Sequence, residues 1–291
     1  LIYLAFSKFG KIKLGGADAK PDFSRISWFS MLFSAGLGIG LLFYGVAEPI
    51  YHFNDNPFVD NTDAIAAAKS AMGITFYHYG IQAWSIYATV GLALAFFTFN
   101  LKLPLTIRSI FYPLLGDKIY GRWGDLIDII SVIATVVGLA TSLGLGAQQV
   151  NAGLEYLFGI GYSREAQMVI IAVITALATF SLLAGLDKGI RRLSEVNMGL
   201  AMILLVFVLA IGPTAFLMDS FVQNLGYYID NFFKIGLWTE SFVGVKDDSN
   251  WQNMWTVFYY AWWIAWSPFV GIFIARVSKG RTITEFILGV V

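Results

Sequence analysis

Apolar residues in this chain gather into long blocks, and charged residues gather in the gaps between them. The blocks predict six complete spans, at about 27–51, 69–100, 125–157, 166–186, 193–217 and 251–278, each holding the roughly 20 apolar residues that cross about 30 Å of hydrocarbon. Several blocks exceed that length, so their helices should tilt or run past the bilayer. Between the fifth and sixth blocks the stretch SFVQNLGYYIDNFFKIG is amphipathic and too polar to span. It predicts an interfacial helix over 219–236 on the extracytoplasmic face.

Composition agrees with that pattern. Of 291 residues, 57% are hydrophobic and 13% charged, against roughly 25% charged in a soluble domain. The fold class is therefore an all-α polytopic integral membrane protein, a single membrane domain whose partner is the lipid bilayer. Net charge is zero and no basic block points to nucleic acid; the absence of cysteine excludes a disulfide framework and thiolate metal sites. Fifteen of the nineteen Lys and Arg residues fall in one alternating set of connections, between Lys8 and Arg25, Lys102 and Arg122, Lys188 and Arg192, and Arg276 and Arg281. The opposite set holds Lys69, Arg164, Lys234 and Lys246. By the positive-inside rule the basic side faces the cytoplasm, as for a multi-pass protein of the cell inner (plasma) membrane. The opening LIYLAFSKFG lacks an initiator Met and reads as the tail of an earlier span, EFILGVV lies within a further apolar stretch, and no signal peptide is seen. The chain reads as a piece of a longer protein.

Three unusual stretches fall near mid-span. AGLGIG places Gly36, Gly38 and Gly40 at alternate positions. Each glycine weakens a helix by roughly 0.8–1 kcal/mol relative to Ala, so the stretch suits an unwound backbone lining a cavity; a GxxxG packing seam is the alternative. In YHYGIQAWSIY, Tyr79, Trp84 and Tyr87 share an arc of about 140° on a helix, with Trp84 at mid-depth rather than in an interfacial belt. In YYAWWIAWSPF, Trp263 and Trp266 share a face beside Trp262, and Pro268 should kink or break the helix. Midplane sites on discontinuous helices are the usual arrangement in secondary transporters. A quaternary ammonium has no N–H to donate but is held by aromatic faces, each contributing roughly 0.5–2 kcal/mol once desolvated. These residues predict an aromatic-lined midplane site for an organic cation, with ordinary aromatic packing as the alternative.

AGLGIGLLFYGVAEP, YHYGIQAWSIY, ATVVGLATSLGLGAQQV and WTVFYYAWWIAWSPFVGIFIARVSKGRT together resemble the betaine/carnitine/choline transporter family over nearly the whole chain. The resemblance implies a LeuT-type inverted-repeat fold of twelve spans. This chain would supply the end of span 2 through span 8, with the first repeat complete and the second only begun. It places the substrate box on Tyr79, Trp84, Tyr87 and Trp263, with Trp262 and Trp266 along the substrate path. A substrate carboxylate would meet the Gly36, Gly38 and Gly40 stretch. Well-known members carry Trp where this chain has Tyr79. Choline-selecting members tend to carry Asp at Gly40, so Gly there favours a zwitterion of the glycine betaine kind, as does the lack of any acid seen near the cage.

No cofactor is implied beyond sodium as coupling ion. The family's sodium positions map to Ala35, Leu37, Thr135 and Phe269, with Leu139 standing where sodium-coupled members have a second Thr. Asn197 stands where sodium-independent exchangers carry Arg. The resemblance thus implies sodium symport, with proton coupling, exchange, a channel or an osmosensor as alternatives, and a homotrimer as the assembly. Glu48, near the outer end of its span beside Pro49, and the two histidines, His52 and His78, read as structural or packed residues. With no catalytic constellation in the spans, the chain does not read as an enzyme.

Overall fold

The computed structural model describes the whole chain apart from residues 37, 39, 186–188 and 243–249. Its helices, in chain order, are α1 (Ile2–Phe6), α2 (Arg25–Gly36), α3 (Gly45–Asn54), α4 (Ala64–Tyr79), α5 (Ile81–Phe99), α6 (Tyr112–Leu115), α7 (Arg122–Phe158), α8 (Arg164–Leu183), α9 (Arg191–Ile211), α10 (Thr214–Gly236), α11 (Phe258–Val277) and α12 (Ile283–Val290). Single π turns, Gly40–Tyr44 and Asn253–Val257, lead into α3 and α11. Among the described residues the β pairing is one isolated bridge, Lys13 to Thr282. Among the described residues five helical runs are long and apolar enough to cross a membrane, and six if Arg25–Gly36 and Gly40–Asn54 count as one interrupted span.

The chain forms two compact units. The first comprises Leu1–Ile39, Ser85–Gly199 and Ala265–Val291. Its core draws Trp28 and Met31 from α2, Leu94 from α5, Ile274 from α11 and Phe286 from α12, all essentially out of solvent. The Trp28 indole N–H donates to Ser278 Oγ at 3.0 Å, and the Arg281 guanidinium lies over its ring at 4.7 Å. Arg281 also donates to the Phe23 carbonyl at 2.8 Å and is only 4% exposed. Grouped by sequence with the loop cations, it is instead a buried cation held against an aromatic face. Backbone bonds from Leu14 to Arg281 and from Ile283 to Ile12 fasten the opening segment to the turn after α11. The Asn100 side chain secures the same segment at Lys13 and Gly15. Arg108 pairs with Asp125 and Asp128 at the head of α7. Along α7 and α8, Ile133, Val136, Val169 and Leu177 point outward, which suits helices whose solvent is lipid.

The second unit comprises Gly40–Trp84 and Leu200–Ile264. Here α10, the amphipathic stretch, packs along α4 through Tyr228 and Ile235, which are buried with Tyr77 among Phe76 and Phe232. Gly80 alone separates α4 from α5. A β-carbon there would fall 2.5 Å from both the Phe76 carbonyl and the Tyr228 hydroxyl, so only glycine fits. The Tyr228 hydroxyl accepts the Ile81 N–H at 3.1 Å and donates to Gln82 Oε1 at 2.7 Å. It thereby satisfies one of the orphan donors at the head of α5. Pro268 does not break α11, which runs as α-helix through it. A proline costs its helix one donor, which neighbouring groups in a membrane bundle can absorb, and the irregular turn sits earlier, before Phe258.

Gly80→Ala should therefore destabilise the protein by about 1–3 kcal/mol, the usual cost of forcing atoms into a filled site. Gly153→Ala, on the exposed face of α7 with nothing within 4 Å, should be neutral or stabilising by up to about 1 kcal/mol. Thermal unfolding in detergent followed by size-exclusion fluorescence measures both. Equal melting of the two variants would contradict the sealed break.

Candidate functional site

In the second unit Tyr79 and Trp262 meet at Gly40, in the turn that leads into α3, and Trp263 packs on both. Tyr79 ends α4, and its hydroxyl donates to the Gly40 carbonyl at 3.0 Å. The Trp263 ring stands edge-on to Tyr79 at 5.7 Å, and its indole N–H donates to the His78 carbonyl at 3.0 Å. Trp262 and Trp263 stack nearly parallel, 6.0 Å apart at 10°. Tyr44 closes on Trp262 edge-on at 6.2 Å. Gly40 is buried, and a β-carbon on it would meet Trp262 at 3.5 Å and the Tyr79 hydroxyl at 3.7 Å. A side chain at position 40 would thus point at the aromatic residues at ordinary contact distance. Trp84 is half-buried in the first turn of α5. The Gly40–Tyr44 and Asn253–Val257 π turns interrupt the i→i−4 ladder just before α3 and α11, as π turns often do at functional sites.

Behind the aromatic residues lies a cluster that sequence reasoning missed. Glu48, His52 and His78 are each 0–1% exposed. Glu48 Oε1 takes hydrogen bonds from both imidazoles, His52 Nε2 at 3.0 Å and His78 Nδ1 at closer range. Glu48 Oε2 contacts the Tyr259 hydroxyl at 2.5 Å, and His78 Nε2 contacts Thr256 Oγ1 at 3.0 Å. The Tyr259 hydroxyl in turn lies 3.1 Å from that of Tyr79. The two histidines therefore share one carboxylate, and an acid does stand near the cage, one hydroxyl behind Tyr79. Their 26-residue separation across the α3–α4 connection hides the pairing in the sequence. The Glu48–His52 spacing of four, which puts both on one helical face, was the available signal.

The remaining predicted residues belong to the first unit. Tyr87 is buried in α5. Trp266 lies against Gly138 of α7, where a β-carbon would fall 3.0 Å from the indole. Its buried Nε1 finds no hydrogen-bond acceptor among the described residues. Gly36 ends α2, and the Gly38 N–H reaches back to its carbonyl at 3.0 Å, so the helix has stopped there. Of the predicted sodium positions, Leu37 lies outside the described residues and Ala35 is half-buried near the end of α2. The Thr135 hydroxyl donates to the Ser131 carbonyl at 2.8 Å. Phe269 is 52% exposed and sits edge-on to Trp266. Asn197 donates to Ser34 Oγ at 2.9 Å, so the neutral side chain at that position ties α9 to α2.

Comparison with known proteins gives a family match over the whole chain. The family model described as BCCT, betaine/carnitine/choline family transporter, matches residues 1–291. The glycine betaine transporter OpuD of Bacillus subtilis is 51% identical across 99% of this chain and 56% of its own length. A glycine betaine transporter of Acinetobacter baylyi is 48% identical across 99% of this chain and 43% of its own. The high-affinity choline transport protein of Escherichia coli is 47% identical across 99% and 42%. The chain thus spans about half the length of the curated relatives it matches. With its apolar helices, the chain is part of an integral membrane protein, and it belongs to the betaine/carnitine/choline transporter family.

Proposed function

We propose that the protein takes up a zwitterionic quaternary-ammonium solute of the glycine betaine kind across the plasma membrane, by alternating access coupled to sodium. The observation that carries this is the packing of Tyr79 and Trp262 on buried Gly40, with Trp263 against both rings. Aromatic faces suit a trimethylammonium group that cannot be hydrogen-bonded, and Trp263 and Trp84 are its proposed seat, with Tyr87 completing the box and Trp266 on the path. The Gly36–Gly40 backbone is the proposed partner of the carboxylate. Relatives named for glycine betaine and for choline support this substrate class. Glycine at position 40 supports the zwitterion over choline, because no carboxylate there faces the cage. Ala35, Leu37, Thr135 and Phe269 remain the proposed sodium positions, and Asn197, with no fixed positive charge, leaves room for a cation. The basic connections are proposed to face the cytoplasm and the assembly to be a trimer.

The test is saturable uptake of labelled glycine betaine in cells expressing the complete gene, with sodium or potassium outside. Uptake should require sodium. Trp263→Leu should lower it more than tenfold at an unchanged amount of membrane-inserted protein, equivalent to more than about 1.4 kcal/mol. Wild-type uptake by that variant would remove Trp263 from the site, and uptake indifferent to sodium would remove the sodium coupling.

Gly40→Asp supplies a second test, because a β-carbon at position 40 would sit at ordinary contact distance from Trp262 and the Tyr79 hydroxyl and so direct its side chain at the aromatic residues. The variant should shift the choline-to-betaine uptake ratio toward choline by about tenfold, as a carboxylate set against a bare cation would. An unchanged ratio would show that position 40 does not face the substrate.

A further inference from the structure

The contacts of the buried cluster can be counted against the hydrogens that could make them. Six contacts join Glu48 to its surroundings in one connected set. They are His52 Nε2 and His78 Nδ1 on Oε1, His78 Nε2 with Thr256, Tyr259 on Oε2, Tyr259 with Tyr79, and Tyr79 with the Gly40 carbonyl. Each contact needs one hydrogen. With Glu48 ionised and both imidazoles neutral, the set holds five, one each from His52, His78, Thr256, Tyr259 and Tyr79. It is one hydrogen short.

Only one place for a sixth hydrogen completes the set. His52 cannot carry it, because its buried Nδ1 has no partner among the described residues and a hydrogen there would be an unsatisfied donor. His78 can carry it by turning Nε2 into a donor toward Thr256. That leaves two hydroxyl hydrogens for the three contacts between Glu48 Oε2 and Gly40. On Glu48 Oε2 the added hydrogen points at the Tyr259 oxygen, Tyr259 turns its own toward Tyr79, and Tyr79 donates to the Gly40 carbonyl. All six contacts are then made.

We propose that Glu48 is a proton-binding site of the transport cycle, wired through Tyr259 and Tyr79 to the Gly40 carbonyl. The link to transport rests on the substrate reading above; the proton site does not. One proton from water binds Glu48 Oε2, and the cluster changes from an anion to a neutral group. The hydroxyls of Tyr259 and Tyr79 then reverse toward Gly40. On release the proton returns to water, Tyr259 again donates to the carboxylate, Tyr79 turns to Tyr259, and the Gly40 carbonyl loses its donor. The protonated state removes a buried negative charge and caps a carbonyl beside the proposed carboxylate-binding stretch. A substrate that carries a carboxylate binds that state more tightly.

The other titratable groups near the triad come from three elements. Tyr44, Tyr51 and Asp55 lie on α3 and its flanks, Tyr77 and Tyr79 on α4, and Tyr259 and Tyr260 on α11. Among the described residues the basic partners within ion-pair distance of Glu48 are the two imidazoles. The three groups offer ligand atoms within 4.8 Å of one another, as a metal site would. Direct imidazole–carboxylate hydrogen bonds already occupy the space between them, and protons rather than a cation fit there.

Infrared difference spectroscopy on the purified full-length protein, titrated between about pH 5 and pH 9, tests the site. A C=O stretch of a protonated carboxylic acid should appear as pH falls and be absent in Glu48→Gln. Glycine betaine should move its appearance to higher pH in the wild type, and betaine affinity, read by tryptophan quenching, should be about threefold tighter at pH 6 than at pH 8. Tyr79→Phe should keep the band and lose the betaine-induced shift, so a failure of Glu48→Gln to fold does not end the test. No such band, a band that survives Glu48→Gln, or a band replaced by a zinc-dependent signal would overturn the proton site. A band that betaine does not move upward, in a sample whose tryptophans report bound betaine, would overturn the wire. Failure of betaine to bind at all, with the band present, would count against the substrate reading and leave the proton site standing.

Discussion

The second unit is organised around one buried carboxylate. Glu48 has no contact with water and would be costly alone, since an unpaired buried charge loses several kcal/mol of solvation. Groups from three helical segments offset that cost. His52 comes from its own helix, His78 from α4 and Tyr259 from α11. These elements carry Tyr79, Trp262 and Trp263, and the turn holding Gly40 leads into the first of them. The hydrogen bonds that satisfy the acid also hold the aromatic rings in register, because Tyr79 follows His78 directly and Trp262 lies one helical turn after Tyr259. Removing one partner would leave a charge behind and loosen the assembly, whereas no single ring contact has that leverage.

A second constraint sets where helices end. Gly80 allows Tyr228 to seal the junction of α4 and α5, and the π turns at Gly40–Tyr44 and Asn253–Val257 shift the ladders that lead into α3 and α11. In lipid such irregular backbone persists only where protein groups satisfy it. Tyr79 on Gly40 and Tyr228 on Ile81 do so. The tyrosines of this unit therefore work as polar plugs for broken helices as well as aromatic surface.

Much of this was legible in the chain. Apolar block length identifies the helical membrane class, and the clustered tryptophans with alternating glycines mark residues proposed here for the site. Four things were not legible, each for a physical reason. The Glu48–His52–His78 cluster depends on tertiary closure between α3 and α4, which periodicity cannot report. Arg281 looks like any loop cation until Trp28 is seen beneath it. Pro268 reads as a breaker from its missing donor, yet a helix can lose one hydrogen bond and continue. The amphipathic stretch was read from its polarity alone, while its tyrosine face turns out to pack on α4.

The central claim, that aromatic faces hold a cation here, is tested most directly by removing the charge and keeping the shape. Equilibrium binding of glycine betaine to the purified full-length protein can be compared with that of 3,3-dimethylbutanoate, its carbon isostere. If the rings act through their negative faces, betaine should bind at least about tenfold more tightly, the equivalent of one to three cation–π contacts. Equal affinities would mean that the tryptophans and tyrosines supply only apolar surface, and the cation-binding account would fail.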